Sequence, residues 1–153
     1  MEPLERLQRD KSITSSFMDK AREIFGFLVE KHSFQLVSAN EYLGGREATI
    51  TYLKGAVRVV VSYEVTSGPW VVVRHMKLQK SYTLERLFKS SFRERYTRIY
   101  DAWYGSKRFS PAITPVLQEN ADFLQNEGCV LLSEGSWKEE SDIFPPCPGP
   151  TGL

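Results

Sequence analysis

The sequence predicts an α+β fold, a two-layer sandwich of one antiparallel sheet and a helix layer, and three observations carry that expectation. Apolar residues recur at three- and four-residue steps over one early segment, the signature of a helix with one buried stripe. A stretch of period-two alternation follows, punctuated by Gly- and Pro-containing turns. Helical spacing then returns for the second half of the chain. A sheet with only one apolar face must be covered on that face, and the flanking helices supply the stripes to do it.

Residues 1–11 are polar and form a lead-in. Phe17, Ala21, Ile24, Phe25, Leu28 and His32 make the first stripe, which places a helix at about 14–32 with Ser16 as N-cap. A first strand is expected at 34–42, ended by a turn at Leu43-Gly44-Gly45-Arg46. Residues 47–54 alternate, with Ala48, Ile50 and Tyr52 on one face. Residues 56–65 alternate again, with Val57, Val59, Val61, Tyr63 and Val65 on one face. Lys54-Gly55 reads as the two-residue turn between them, pairing Tyr52 with Val57 and Ile50 with Val59 so that the apolar faces coincide. Ser67-Gly68-Pro69 is the next turn, and a fourth strand runs over about 70–77. The expected sheet is therefore a four-stranded antiparallel meander. Its polar face carries Thr49, Thr51, Arg58, Ser62 and Glu64.

Two helical stripes follow. Leu84, Leu87 and Phe88 form one, and Phe92, Tyr96, Ile99, Tyr100 and Trp103 the other, with a break expected near Ser90-Ser91. Thr114-Pro115 starts a last helix that stops at Gly128, with Pro at its first position. Cys129 to Leu132 reads as a short strand or an apolar plug. Residues 1–137 form a single α+β domain in this reading, and the acidic, proline-rich residues 138–153 form a flexible tail.

The net charge is +1, with 20 basic and 19 acidic residues, so bulk charge alone makes no case for nucleic acid or membrane. The distribution is uneven. Residues 74–108 hold 10 basic and 3 acidic groups, and residues 109–153 hold 1 basic and 7 acidic. The N-terminus has no apolar core of a secretory signal, and the apolar runs are far below the roughly 20 residues that cross a bilayer. The two cysteines, Cys129 and Cys147, lie in no CxxC pair, which fits a reducing cytoplasm.

No catalytic or metal-binding set emerges, and no cofactor is expected. The chain has no GxSxG, HExxH, P-loop or GxGxxG. His32 closes the first helical stripe and reads as a packing or capping residue. His75 follows Arg74 in the fourth strand. Because Val71, Val72 and Val73 are all apolar, either of the two could face the helices, and the one that does is expected to reach solvent at the strand end. Asp19 with Glu23, and Glu119 with Asp122, read as solvated helix faces. The basic segment is the better lead. Arg86, Lys89 and Arg93 fall on one side of a helix, and Tyr100 and Tyr104 would share that stripe. Arg and Tyr are residue types enriched where proteins meet.

The run IFGFLVEKHSFQLV, the valine-rich ITYLKGAVRVVVSYE and then SYTLERLF resemble small bacterial α+β proteins, and the layout over about residues 15–132 is similar to that of immunity proteins that neutralise toxins. The resemblance implies a non-enzymatic protein that binds a partner toxin by charge and shape complementarity, and the basic segment, read by itself, points to an acidic surface on a protein partner in the cytoplasm. Arg86, Lys89, Arg93, Tyr100 and Tyr104 are the expected contact residues. Two alternatives stand beside it. One is nucleic-acid binding through segment 82–108, with Arg on phosphates and aromatics on bases. The other is a ligand-binding or enzymatic cavity between sheet and helices, lined by Tyr52, Tyr63 and Trp70.

Overall fold

The computed structural model describes residues 15–42, 47–64, 68–84, 94, 110–126 and 129–137. The first helical stripe forms as expected over residues 15–32, in two parts. Residues 15–24 (α1) are helical, Phe25 is a turn residue, and Gly26–His32 (α2) continues the helix. Phe25 N–H still reaches the Ala21 carbonyl at 2.9 Å, but the next bond, Leu28 N–H to the Phe25 carbonyl at 3.1 Å, spans three residues instead of four. That tightened turn, next to Gly26, is the physical cause of the break. Ser16 lies inside α1 and is not its cap. At the other end Ser33 adopts the left-handed region at φ 62°. Its N–H and that of Phe34 both return to the Leu28 carbonyl, which closes the helix.

The sheet has five antiparallel strands in sequence order, not four. They are β1 (Gln35–Tyr42), β2 (Glu47–Lys54), β3 (Val57–Glu64), β4 (Gly68–His75) and β5 (Lys80–Thr83). The β2–β3 turn is Gly55-Ala56, one residue later than the sequence suggests. Lys54 therefore pairs with Val57, Tyr52 with Val59, and Ile50 with Val61. The reason is the backbone: Gly55 sits at φ 56°, and a hairpin with a positive φ at its first loop position wants glycine there. The correction moves the register by two residues, so the same side chains still share a face. Gly68 and Pro69 belong to β4 instead of the turn before it. Proline is tolerated because β5 pairs only with Val72–His75, leaving β4 an edge strand at Pro69. The fifth strand, KSYT, escapes the sequence pattern because it is four residues long and holds one apolar side chain.

The inner face of the sheet buries Ala48, Ile50, Tyr52, Val57, Val59, Val61, Tyr63, Val71 and Val73. Phe17, Ala21, Phe25 and Leu28 cover it from the first helices, and the Phe17 ring stacks on Tyr63 with centroids 5.1 Å apart. The last long helix, α3 (Ser110–Asn126), adds Val116, Leu117, Ala121, Phe123 and Leu124. It starts four residues before the expected Thr114, which puts Pro115 inside it. Asn120 is buried on the same side, and its Nδ2 donates to the Val116 carbonyl at 2.9 Å. Two 3₁₀ turns, Cys129–Leu132 and Glu134–Ser136, finish the layer. Leu131, Leu132 and Trp137 are buried, so the plug reading holds and the strand reading does not. Segments 85–93 and 95–109, which carry most of the two central helical stripes, lie outside the described residues, as does the tail at 138–153.

Ile50 and its neighbour Thr51 point to opposite faces, which gives a direct check. Ile50→Ala should cost about 2–5 kcal/mol, read as a lower urea midpoint with an unchanged slope. Thr51→Ala should stay within about 0.5 kcal/mol of wild type.

Candidate functional site

The five residues singled out from the basic segment, Arg86, Lys89, Arg93, Tyr100 and Tyr104, lie outside the described residues. The three aromatics expected to line a cavity do not meet. Tyr52 and Tyr63 are packed in the core, and burial pushes the Tyr52 hydroxyl pKa up to about 12. Trp70 alternates to the other face of the sheet and is half-buried there.

His75, not Arg74, turns inward. Its ring is buried at 3% exposure, which overturns the expectation that it reaches solvent. Two hydrogen bonds make that burial tolerable. Leu78 N–H donates to His75 Nδ1 at 3.1 Å, and Nε2 lies 3.2 Å from the Glu134 carbonyl oxygen. A nitrogen that accepts from an N–H carries no proton, so Nδ1 is bare and Nε2 is the donor. The ring closes the β4–β5 turn on one side and holds the C-terminal segment on the other. Trp137 lies against both His75 and Tyr82, with centroids 5.4 and 5.6 Å away, and its indole N–H donates to the Leu131 carbonyl at 2.8 Å.

Glu134 joins the two hairpin turns at that end of the sheet. One carboxylate oxygen accepts from Ala56 N–H at 3.3 Å, and the other pairs with Lys77 Nζ at 2.8 Å. A Cβ at Gly55 would displace the Glu134 carboxylate, and the positive φ there already favours glycine. The pattern reads as a clasp that locks the fold, and the side chains of His75, Lys77, Glu134 and Trp137 all have polar partners in it. Neither Glu134 nor Trp137 stood out in the sequence, because Glu134 reaches residues 59 and 78 positions away, at His75 and Ala56. Beside it Arg74, Met76, Gln79, Lys80 and Ser81 border an open cleft of about 290 Å³.

The outer face of the sheet is a different kind of surface. None of its side chains belongs to the hydrophobic cluster that holds the helices. Its middle is uncharged: Thr49, Thr51, Val60, Ser62, Trp70, Val72 and Thr83 lie there in cross-strand rows. Its ends are charged, and each end pairs like with like. Glu47 stands directly opposite Glu64, and Arg58 directly opposite Arg74. Arg58 Nε is shielded and has no hydrogen-bond partner among the described residues. Like charges opposed across a ladder are destabilising. The two ends are about 20 Å apart, six residues along β3, so at physiological salt they do not neutralise one another.

Among the described residues no cluster of His, Cys, Asp or Glu could hold a metal ion, and no helix is long and apolar enough to cross a membrane. His32, half-buried at the end of α2, lies edge-on to Phe27 at 5.9 Å. Burial lowers its pKa, and the charges of Lys54 and Lys31 lower it further.

Two predictions test the clasp. Trp137→Phe leaves the buried Leu131 carbonyl without its donor and should cost about 1–3 kcal/mol in a denaturant titration. The second is a pH dependence. The Lys77 hydrogen bond, with Ala56 N–H adding to it, holds the Glu134 carboxyl below the ordinary carboxylate value. The folded state therefore releases that proton more readily than the unfolded chain. The resulting stabilisation is present above the ordinary carboxylate value and is lost as pH falls through the lowered one. Thermal melts from pH 7 to pH 3 should show that loss in wild type and a smaller one in Glu134→Gln.

No protein-family model matches this chain, and no curated protein or solved structure does either.

Proposed function

We propose that the chain is a non-enzymatic protein-binding module, of the immunity type its layout resembles, that engages a partner through charge and shape complementarity in a bacterial cytoplasm. The observation that supports this best is the outer face of the sheet. It is a broad surface with Trp70 in a neutral centre and charge sorted to its two ends. Charge sorted to the two ends of a sheet face steers and orients an approaching partner. The basic segment supplies a second contact set in this reading, Arg86, Lys89, Arg93, Tyr100 and Tyr104, suited to an acidic surface.

Nucleic-acid binding is the second reading. The Arg58–Arg74 pair favours it, because two guanidinium groups opposed on a sheet suit a phosphate.

The test is affinity capture from source-cell lysate, with and without nuclease, using wild type and two charge-reversed variants. The variants are Arg58→Glu/Arg74→Glu and Arg86→Glu/Lys89→Glu/Arg93→Glu. A stoichiometric protein partner should survive nuclease, and at least one variant should slow its association tenfold or more at low salt. That difference should shrink as salt rises. Capture lost with nuclease would move the assignment to nucleic acid, and association unchanged in both variants would remove these surfaces from the account.

A further inference from the structure

We infer that the cleft beside the β4–β5 turn is a binding site for a small phosphate monoester, a role that the protein-binding reading does not use. The cleft encloses about 290 Å³ and is bordered by Arg74, His75, Met76, Gln79, Lys80 and Ser81. That is the small end of the range for ligand sites, about 300–1,000 Å³, so it suits a small molecule. Among the described residues its border carries two cations and no carboxylate. The acid of the neighbouring clasp, Glu134, already has its charge matched by Lys77 at 2.8 Å. His75 serves only as a wall, because both its ring nitrogens are engaged in the clasp.

Strand register gathers the donors. Ser81 pairs directly with Arg74, so both side chains stand on the outer face with their Cβ atoms about 5 Å apart. Arg74, Gln79 and Ser81 are exposed, and their side chains have no hydrogen-bond or ion-pair partner among the described residues. Gln79 is the most telling of them. It is the turn residue before β5 and sits in the left-handed region at φ 54°. Glycine or asparagine takes that conformation with little strain, and a longer side chain does not. The chain nonetheless keeps glutamine there, with its side chain at the cleft.

The chemistry of the border selects the ligand. The planar guanidinium of Arg74 can donate two parallel N–H bonds to one oxyanion. Lys80 adds a second positive charge at the wall, and the Gln79 amide and Ser81 hydroxyl are neutral donors for the remaining oxygens. A phosphate monoester dianion, with three terminal oxygens, uses this set more fully than a carboxylate does. Met76, 43% exposed on the rim, gives the organic group an apolar contact.

An NMR titration of the full chain at constant ionic strength tests this, with the Met76 methyl and Ser81 amide as reporters. Phenyl phosphate should shift both saturably, with a dissociation constant of about 1 mM or below. Inorganic phosphate, which has no group to lay on Met76, should bind more weakly. Dimethyl phosphate, a singly charged diester like the nucleic-acid backbone, should bind about tenfold more weakly than phenyl phosphate. Arg74→Gln should weaken phenyl phosphate by about tenfold or more. Gln79→Gly removes the strain together with the side chain. It should leave the melting temperature equal or higher while weakening phenyl phosphate by about threefold or more, which a purely structural glutamine would not do. No saturation up to about 20 mM phenyl phosphate, or equal shifts from sodium chloride, would overturn the inference. Affinity unchanged in either variant would overturn it as well. Inorganic phosphate binding as tightly as phenyl phosphate would overturn the ester, and dimethyl phosphate doing so would transfer the cleft to a nucleic-acid backbone.

Discussion

Val57, Val59, Val61 and Tyr63 run down the inner face of β3, and the need to cover that row places most other elements. β2 and β4 pair with β3 in registers that bring Tyr52, Ile50 and Ala48 on one side and Val73 and Val71 on the other into the same layer. The helices then dock with the one stripe each can offer: Phe17, Ala21, Phe25 and Leu28, and Val116, Leu117, Ala121 and Leu124. Because the side-chain period of a strand is two, burying these residues commits their neighbours to the other face. The outer surface of the sheet is thus a by-product of the core, and its composition was free to be used for something else.

The open end of the meander needs its own fastening. Successive hairpins bring the Gly55-Ala56 turn and the β4–β5 turn side by side, and only Leu78 of the second packs against the main core from its partly buried position. The segment 134–137 supplies the fastening by polar contacts and tilted ring contacts. Glu134 bridges Ala56 and Lys77, His75 bridges Leu78 and Glu134, and Trp137 closes over His75. A buried histidine with both nitrogens engaged is a demanding arrangement, since an unpaired ring nitrogen in that position would cost about as much as a lost hydrogen bond. It is satisfied here because the turn offers an N–H and the clasp a carbonyl at the two positions the ring can reach.

Much of this was legible in the residues. The stripe from Phe17 to His32, the alternation of β2 and β3, and the one-sided character of the sheet all follow from periodicity, which is set by backbone geometry and survives any tertiary context. The misses share a different cause. β5 is too short to show a period. The β2–β3 turn was misplaced by one residue, because both Lys54-Gly55 and Gly55-Ala56 keep the apolar faces together and only the φ of Gly55 decides between them. The inward turn of His75 could not be read from a run of three valines, and its partners lie 59 residues away in Glu134 and only three away in Leu78. Of the site, the polar residues of the outer face were visible one strand at a time. That they oppose like charge to like is a property of cross-strand register, which a linear pattern does not contain.

The account turns on whether the outer face is a surface that becomes covered only by association. The valine methyl groups report this directly, since Val59, Val61 and Val73 point inward while Val60 and Val72 point outward on the same strands. Their relaxation by a soluble nitroxide can be followed by NMR as the partner recovered by affinity capture is added. The inner methyls should be protected throughout. The outer ones should be relaxed in the free protein and become protected as the partner saturates it. Outer methyls that are shielded already in the free protein, or that stay relaxed with the partner bound, would contradict it.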